Sequence, residues 1–98
     1  MSSNFGLRVV GDSMVDASGG VSYPDGAMIV VDPTLTPEAG DDVVLTAGPG
    51  AGTSFKRLDL DGGKQMLRSL NGKYPTTAMP VGAHIMGVVI QVQIEVRR

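Results

Sequence analysis

Two short stretches of this chain carry residues that could do chemistry together: Gly11-Asp12-Ser13-Met14 and Phe55-Lys56-Arg57-Leu58. The run Phe55-Lys56-Arg57-Leu58-Asp59-Leu60 has the period of two expected of a strand, which sets alternate side chains on one face. Lys56 then shares a face with Leu58 and Leu60, while Arg57 and Asp59 point the other way. Burying an ammonium without a partner is costly, but a neutral amine suits such a face, and a neutral amine is a general base. Ser13 is the best candidate for the nucleophile it would serve. A serine hydroxyl attacks poorly until its proton is removed, and a lysine can remove it only if its pKa falls from about 10.4 toward neutrality. Desolvation is the available lever, with Leu58, Leu60 and Met14 as the expected walls. Gly11 allows close backbone approach to a substrate.

Taken singly, both residues have ordinary explanations. Ser13 is a turn serine, and Lys56 is a lysine whose stem lies along a strand with its amine in water. Other polar positions carry less. Asp12 positions the loop and transfers no proton, His84 opens the last strand as a structural or surface residue, and Asp41-Asp42 is a solvated turn. Gly48-Pro49-Gly50-Ala51-Gly52 is no phosphate loop, because the closely following lysine and the helix that such a loop needs are both missing.

The elements that must position the pair are strands. Phe5 to Val10 reads as a first strand delivering the chain to Gly11, and Met14 to Tyr23 as loop. Pro24-Asp25-Gly26 turns into the apolar run Ala27 to Val31, which Asp32-Pro33 closes. Asp42 to Ala47 and Thr53 to Leu60 are further strands, and Asp61-Gly62 marks a primed hairpin turn from which Lys64 to Leu70 pairs back. After an irregular stretch, Asn71 to Val81, the final strand puts Met86, Val88, Ile90, Val92, Ile94 and Val96 on one face, with Ile85 and Val89 giving way to Gln91, Gln93, Glu95 and Arg97 on the other. The expected fold class is all-β, a strongly bent sheet or partly open barrel.

Six segments in order carry a family resemblance: Gly11-Asp12-Ser13-Met14, Tyr23-Pro24-Asp25-Gly26, Val31-Asp32-Pro33, Phe55-Lys56-Arg57-Leu58, Ser69-Leu70-Asn71-Gly72-Lys73-Tyr74-Pro75 and Ile85-Met86-Gly87-Val88-Val89. Together, from about Leu7 to Val92, they resemble the C-terminal domain of LexA-type self-cleaving repressors, a group that includes UmuD-like proteins and lambdoid phage repressors. The resemblance implies a Ser13/Lys56 serine peptidase dyad, oxyanion donors at the Ser13 and Met14 amides, and cleavage of the repressor's own hinge. It further implies stimulation by a RecA filament, as in an SOS response, and a homodimer. One departure is Gly72, where relatives commonly carry a proline after the asparagine, so the turn is expected to be looser. The scissile Ala-Gly or Cys-Gly bond of such proteins has no counterpart before Ser13, where the glycines follow Phe5 and Val10. The expectation is a single peptidase and dimerisation domain over residues 1–98, with hinge and DNA-binding domain outside this chain. Two rivals stand beside it: an oligomerisation module with an idle dyad, and a relative of signal peptidases, which the stretch after Lys56 fits less well.

Composition agrees with these readings. Ninety-eight residues make one domain with a modest core, and 14 glycines with 6 prolines favour short strands and turns. With no cysteine there is neither disulfide nor thiolate metal site, which suits the cytoplasm. One histidine is too few for a multi-histidine centre, and no cofactor is expected. A net charge of −2 without a basic cluster gives DNA no surface here, and no apolar run approaches the roughly 20 residues that cross a bilayer. The alternation of Gln91 to Arg97 near the chain end suggests a strand at a sheet edge, open to a second copy.

Overall fold

The computed structural model describes residues 3–16, 18, 20–48 and 50–94. Glu95, Val96 and Arg97 of the expected last alternation, and Pro49 of the glycine-rich turn, lie outside the described residues. The short apolar runs fold as strands: β1 (Phe5–Arg8), β2 (Met28–Asp32), β3 (Asp42–Thr46), β4 (Ser54–Asp61), β5 (Lys64–Arg68), β6 (Thr77–Ala78) and β7 (His84–Gln93). They form one seven-stranded sheet in the order β1-β2-β7-β3-β4-β5-β6, every pairing antiparallel and the sheet not closed. The all-β expectation holds. β1 and β5 stop short of the predicted Val10 and Leu70.

The hairpin β4–β5 turns on Gly62 and Gly63, both with positive φ (60° and 84°), as a primed two-residue turn requires. This turn sets Asp61 against Lys64 and, four steps back, Arg57 against Arg68. β3 is covered on both faces, which explains its unbroken apolar run. Val44 joins a cluster with Val9, Met14, Tyr23, Ala27, Ile29 and Val31, whereas Val43 and Leu45 join Leu58, Leu67 and Val88. The core is therefore two clusters on either side of the sheet rather than the single one expected.

β7 departs from simple alternation. Its pairing with β3 skips Met86, since Val44 opposes Gly87 and Leu45 opposes Ile85. Its pairing with β2 skips Ile90, since Val30 opposes Gln91 and Val31 opposes Val89. Each extra residue is a bulge that bends the strand and switches which side chains face inward. Met86, Val89 and Val92 consequently pack on the first cluster, Ile85 and Val88 on the second, and Ile90 is 48% exposed. The predicted shared face of Met86, Val88, Ile90 and Val92 is thus broken twice. β7 also changes partner along its length, running beside β3 over His84–Val88 and beside β2 over Val88–Gln93.

Candidate active site

Ser13 sits on a tight turn in which the Asp12 carbonyl accepts the Val15 N–H (3.1 Å). The buried Met14 side chain anchors that turn in the first core cluster. Two further contacts come from beyond β5: Asn71 donates its backbone N–H to the Ser13 carbonyl (3.0 Å) and its side-chain Nδ2 to the Asp12 carbonyl (3.1 Å). The Asp12 carboxylate accepts the Tyr74 hydroxyl and pairs with Lys73 Nζ at 3.0 Å. The Tyr74 hydrogen bond first, and Lys73 second, hold the Asp12 carboxyl below its ordinary pKa. Asp12 thus positions the loop, as its sequence context suggested. The Ser13 and Met14 amides donate in none of the described backbone hydrogen bonds.

The loop that follows returns at Tyr23, whose N–H bonds the Met14 carbonyl (2.8 Å) and whose ring meets Phe55 edge-on (centroids 4.8 Å apart). The Tyr23 hydroxyl donates to Asp42 Oδ2 at 2.6 Å, and Arg57 donates Nε to Oδ1 (2.7 Å) and Nη2 to Oδ2 (3.0 Å). Asp42 is only 7% exposed. The expectation of a solvated Asp41-Asp42 turn fails here, because Asp42 opens β3 directly opposite Arg57 of β4 and is buried under Tyr23. Burial first, and the neighbouring carboxylate second, raise the Tyr23 phenol well above its ordinary pKa, so it stays a neutral donor. The hydrogen bonds of Asp42 likewise raise the Arg57 guanidinium.

Ser13 and Lys56 line one cleft of about 260 Å³. Leu7, Val9 and Val10 lie along it beside β1, Thr53 to Phe55 precede Lys56 on the β4 side, and Ile29 and Val44 also line it. Its apolar lining differs from the expected one. Met14 is present, but Leu58 lies in the second core cluster and Leu60, near the hairpin tip, is 51% exposed. Lys56 is half-buried, its Nζ 5.9 Å from the centroid of the Tyr74 ring and donating to Ser69 Oγ at 2.7 Å. In this structure the described hydrogen bond of the amine goes to Ser69. His84 is exposed, away from this cleft.

Ser69, 5% exposed, was not singled out from the sequence. The signal was available: extending the β4–β5 register one step past Arg57↔Arg68 places Ser69 opposite Lys56, and directly opposed residues share a face. The turn at Asn71 is closed by Tyr74 N–H to the Asn71 carbonyl (3.1 Å) and Lys73 N–H to Asn71 Oδ1 (3.1 Å). Gly72 occupies its second position, where proline is favoured, and open space surrounds the place of a Cβ. Gly72→Pro should therefore stabilise the domain by about 0.4–1 kcal/mol through the unfolded state, read as a higher urea midpoint at unchanged slope.

The all-β sheet and this cleft belong to a chain of the Peptidase S24-like family, whose profile matches residues 1–90. It is 43% identical over 91 residues to the HTH-type transcriptional regulator for conjugative element R391 of Providencia rettgeri, covering 93% of this chain and 42% of that protein. Repressor protein C2 of Salmonella phage P22 is 37% identical over the same shares. Prophage repressor CohE of Escherichia coli is 40% identical, covering 86% of this chain and 36% of that protein. The chain thus spans well under half the length of these relatives. Among the described residues no helix is long and apolar enough to cross a membrane.

Proposed function

We propose that this domain is the dimerising, self-cleaving part of a transcriptional repressor, with Ser13 as nucleophile and Lys56 as general base. The observation that carries the reading is the shared cleft, which brings together two residues from distant parts of the sequence. The relatives named as a phage repressor and as a transcriptional regulator for a conjugative element support the biological setting, and RecA-stimulated cleavage of a hinge belongs to the same reading. In the first step Ser13 Oγ attacks the scissile carbonyl carbon as its proton passes to the Lys56 amine. The amides of Ser13 and Met14 receive the oxyanion. The C–N bond then breaks, and the Lys56 ammonium returns the proton to the leaving amine. Water, deprotonated by the same amine, hydrolyses the acyl ester on Ser13.

The test is covalent labelling of the 98-residue domain with an alkyl fluorophosphonate, followed by intact mass. Ser13 Oγ forms a bond to phosphorus, fluoride leaves, and Lys56 takes the hydroxyl proton. One adduct is expected on the parent and none on Ser13→Ala. Among the described hydrogen bonds none joins Lys56 to Ser13, which favours a second reading, an oligomerisation module whose dyad is idle. A folded parent that takes no label would select it.

Dimerisation through the C-terminal strand region belongs to the proposal too. β7 lies inside the strand order, yet beyond Val88 it has β2 on one side and no described strand on the other. Ile94, just past β7, is 55% exposed. An open edge with apolar neighbours suits two-fold pairing, adding about 25 cal/mol per Å² of apolar surface covered. Sedimentation velocity at micromolar concentration should show a parent dimer that Ile94→Lys dissociates. A strictly monomeric parent would reject the proposal, and a dimer indifferent to the substitution would move the interface to another surface.

A further inference from the structure

We propose that Ser69 is a positioning residue of the dyad: its hydroxyl oxygen takes one N–H of Lys56 and turns the lone pair of the amine toward Ser13. The proposal rests on the Ser13/Lys56 reading above and concerns how that pair is aimed. A lysine amine rides on a flexible four-carbon stem, whereas a general base must meet its proton donor within about 2.6–3.2 Å. Something has to fix the amine. The Nζ–Oγ contact of 2.7 Å does so from a serine that is itself almost fully buried, on a strand extension whose register places it directly opposite.

The chemistry of the partner fits this role. A hydroxyl oxygen has two lone pairs and can accept from either an ammonium or a neutral amine. The anchor therefore survives both halves of the proton cycle, in which a carboxylate would instead hold the amine charged. A neutral amine has two N–H groups and one lone pair. With one N–H held by Ser69, its lone pair has far fewer directions open to it. Two residues further on, the N–H of Asn71 binds the Ser13 carbonyl (3.0 Å), so the segment Ser69–Asn71 touches both halves of the dyad. The other groups around the amine come from separate elements. The Tyr74 phenol, engaged with Asp12, comes from beyond β5, Arg8 lines the cleft from β1, and apolar Val43 opposes Lys56 from β3.

The experiment follows fluorophosphonate labelling of Ser13 across pH in Ser69→Ala and Ser69→Thr, with circular dichroism melts to establish that each variant is folded. Ser69→Ala should label at least about tenfold more slowly, given the sensitivity of reaction rates to misplacement. The loss should persist across the whole pH range, because the partner aims the amine and does not set its charge. Ser69→Thr, which keeps the hydroxyl, should recover most of the rate. A folded Ser69→Ala that labels at the parent rate overturns the proposal while leaving the dyad in place, as does a loss that vanishes at high pH or a folded Ser69→Thr that stays slow. Should Ser69→Ala not fold, Ser69→Cys takes its place: nearly the same size and a weak acceptor, it should be slow, and a parent rate overturns the idea. Absence of label on the parent removes the dyad reading itself, and the role of Ser69 with it.

Discussion

Replacing Asp42 with alanine should lower the unfolding free energy of the domain by about 3–5 kcal/mol, the range for stripping one partner from a buried charged pair. Three hydrogen bonds converge on this carboxylate, two from Arg57 and one from Tyr23. Its removal leaves a buried phenol without an acceptor, which by itself costs about 1–3 kcal/mol. The Arg57 side chain is 24% exposed and recovers some hydration, so the lower half of the range is the better expectation. Against a total of about 5–15 kcal/mol for a typical domain, the loss is large. The site should feel it as well, because Tyr23 also holds the Met14 carbonyl and packs on Phe55, the neighbour of Lys56. Urea unfolding should give a lower midpoint with the slope unchanged. A change below about 1 kcal/mol would mean that Arg57 and Tyr23 find water instead, and that the cluster guides the loop more than it stabilises the fold.

Lys56→Arg should slow the labelling of Ser13 by about 10²–10⁴-fold, the usual contribution of a positioned general base. The substitution retains a long stem, a positive charge and donors for Ser69. It lacks the lone pair, since a guanidinium is not deprotonated in proteins. If Lys56 acted only as a cation near Ser13, arginine would serve nearly as well. On the parent, labelling should accelerate as pH rises, because the deprotonated amine is the reactive form. A rate independent of pH, or an arginine variant as fast as the parent, would leave Lys56 an electrostatic role and require a different base.

What the sequence made legible follows the range of the interactions involved. Local turn chemistry and strand alternation placed the strands and the β4–β5 hairpin, because a turn such as Asp61-Gly62-Gly63 contains its own instructions. Ser13 and Lys56 each have an ordinary explanation when taken singly and stand out only as a pair within the six ordered segments; the structure sets both along one cleft. Asp42 was misread because Asp41-Asp42 looks like a polar turn until Arg57 is known to lie opposite it on β4. The walls around Lys56 were misassigned for a similar reason. Leu58 and Leu60 share its face along the strand, yet the layers above that face change from one end of β4 to the other. β7 defeated the period-two rule because Met86 and Ile90 are extra residues in the ladder, and a bulge leaves no local mark in a run of apolar side chains.

The hairpin tip has a reach that its exposure disguises. Because Gly62 and Gly63 set Asp61 against Lys64, each step back along β4 is one step forward along β5, and that count arrives at Ser69 opposite Lys56. The tip is in effect a ruler, and the groups at the root of the hairpin are measured off from its end. One added residue that propagated into the ladder would bring Arg68 opposite Lys56 and carry the serine to the far side of the sheet. Two cations would then face each other where an amine and a hydroxyl now meet. The length of this distant turn is therefore fixed by the site at its root, and the positive φ of Gly62 and Gly63 holds that length.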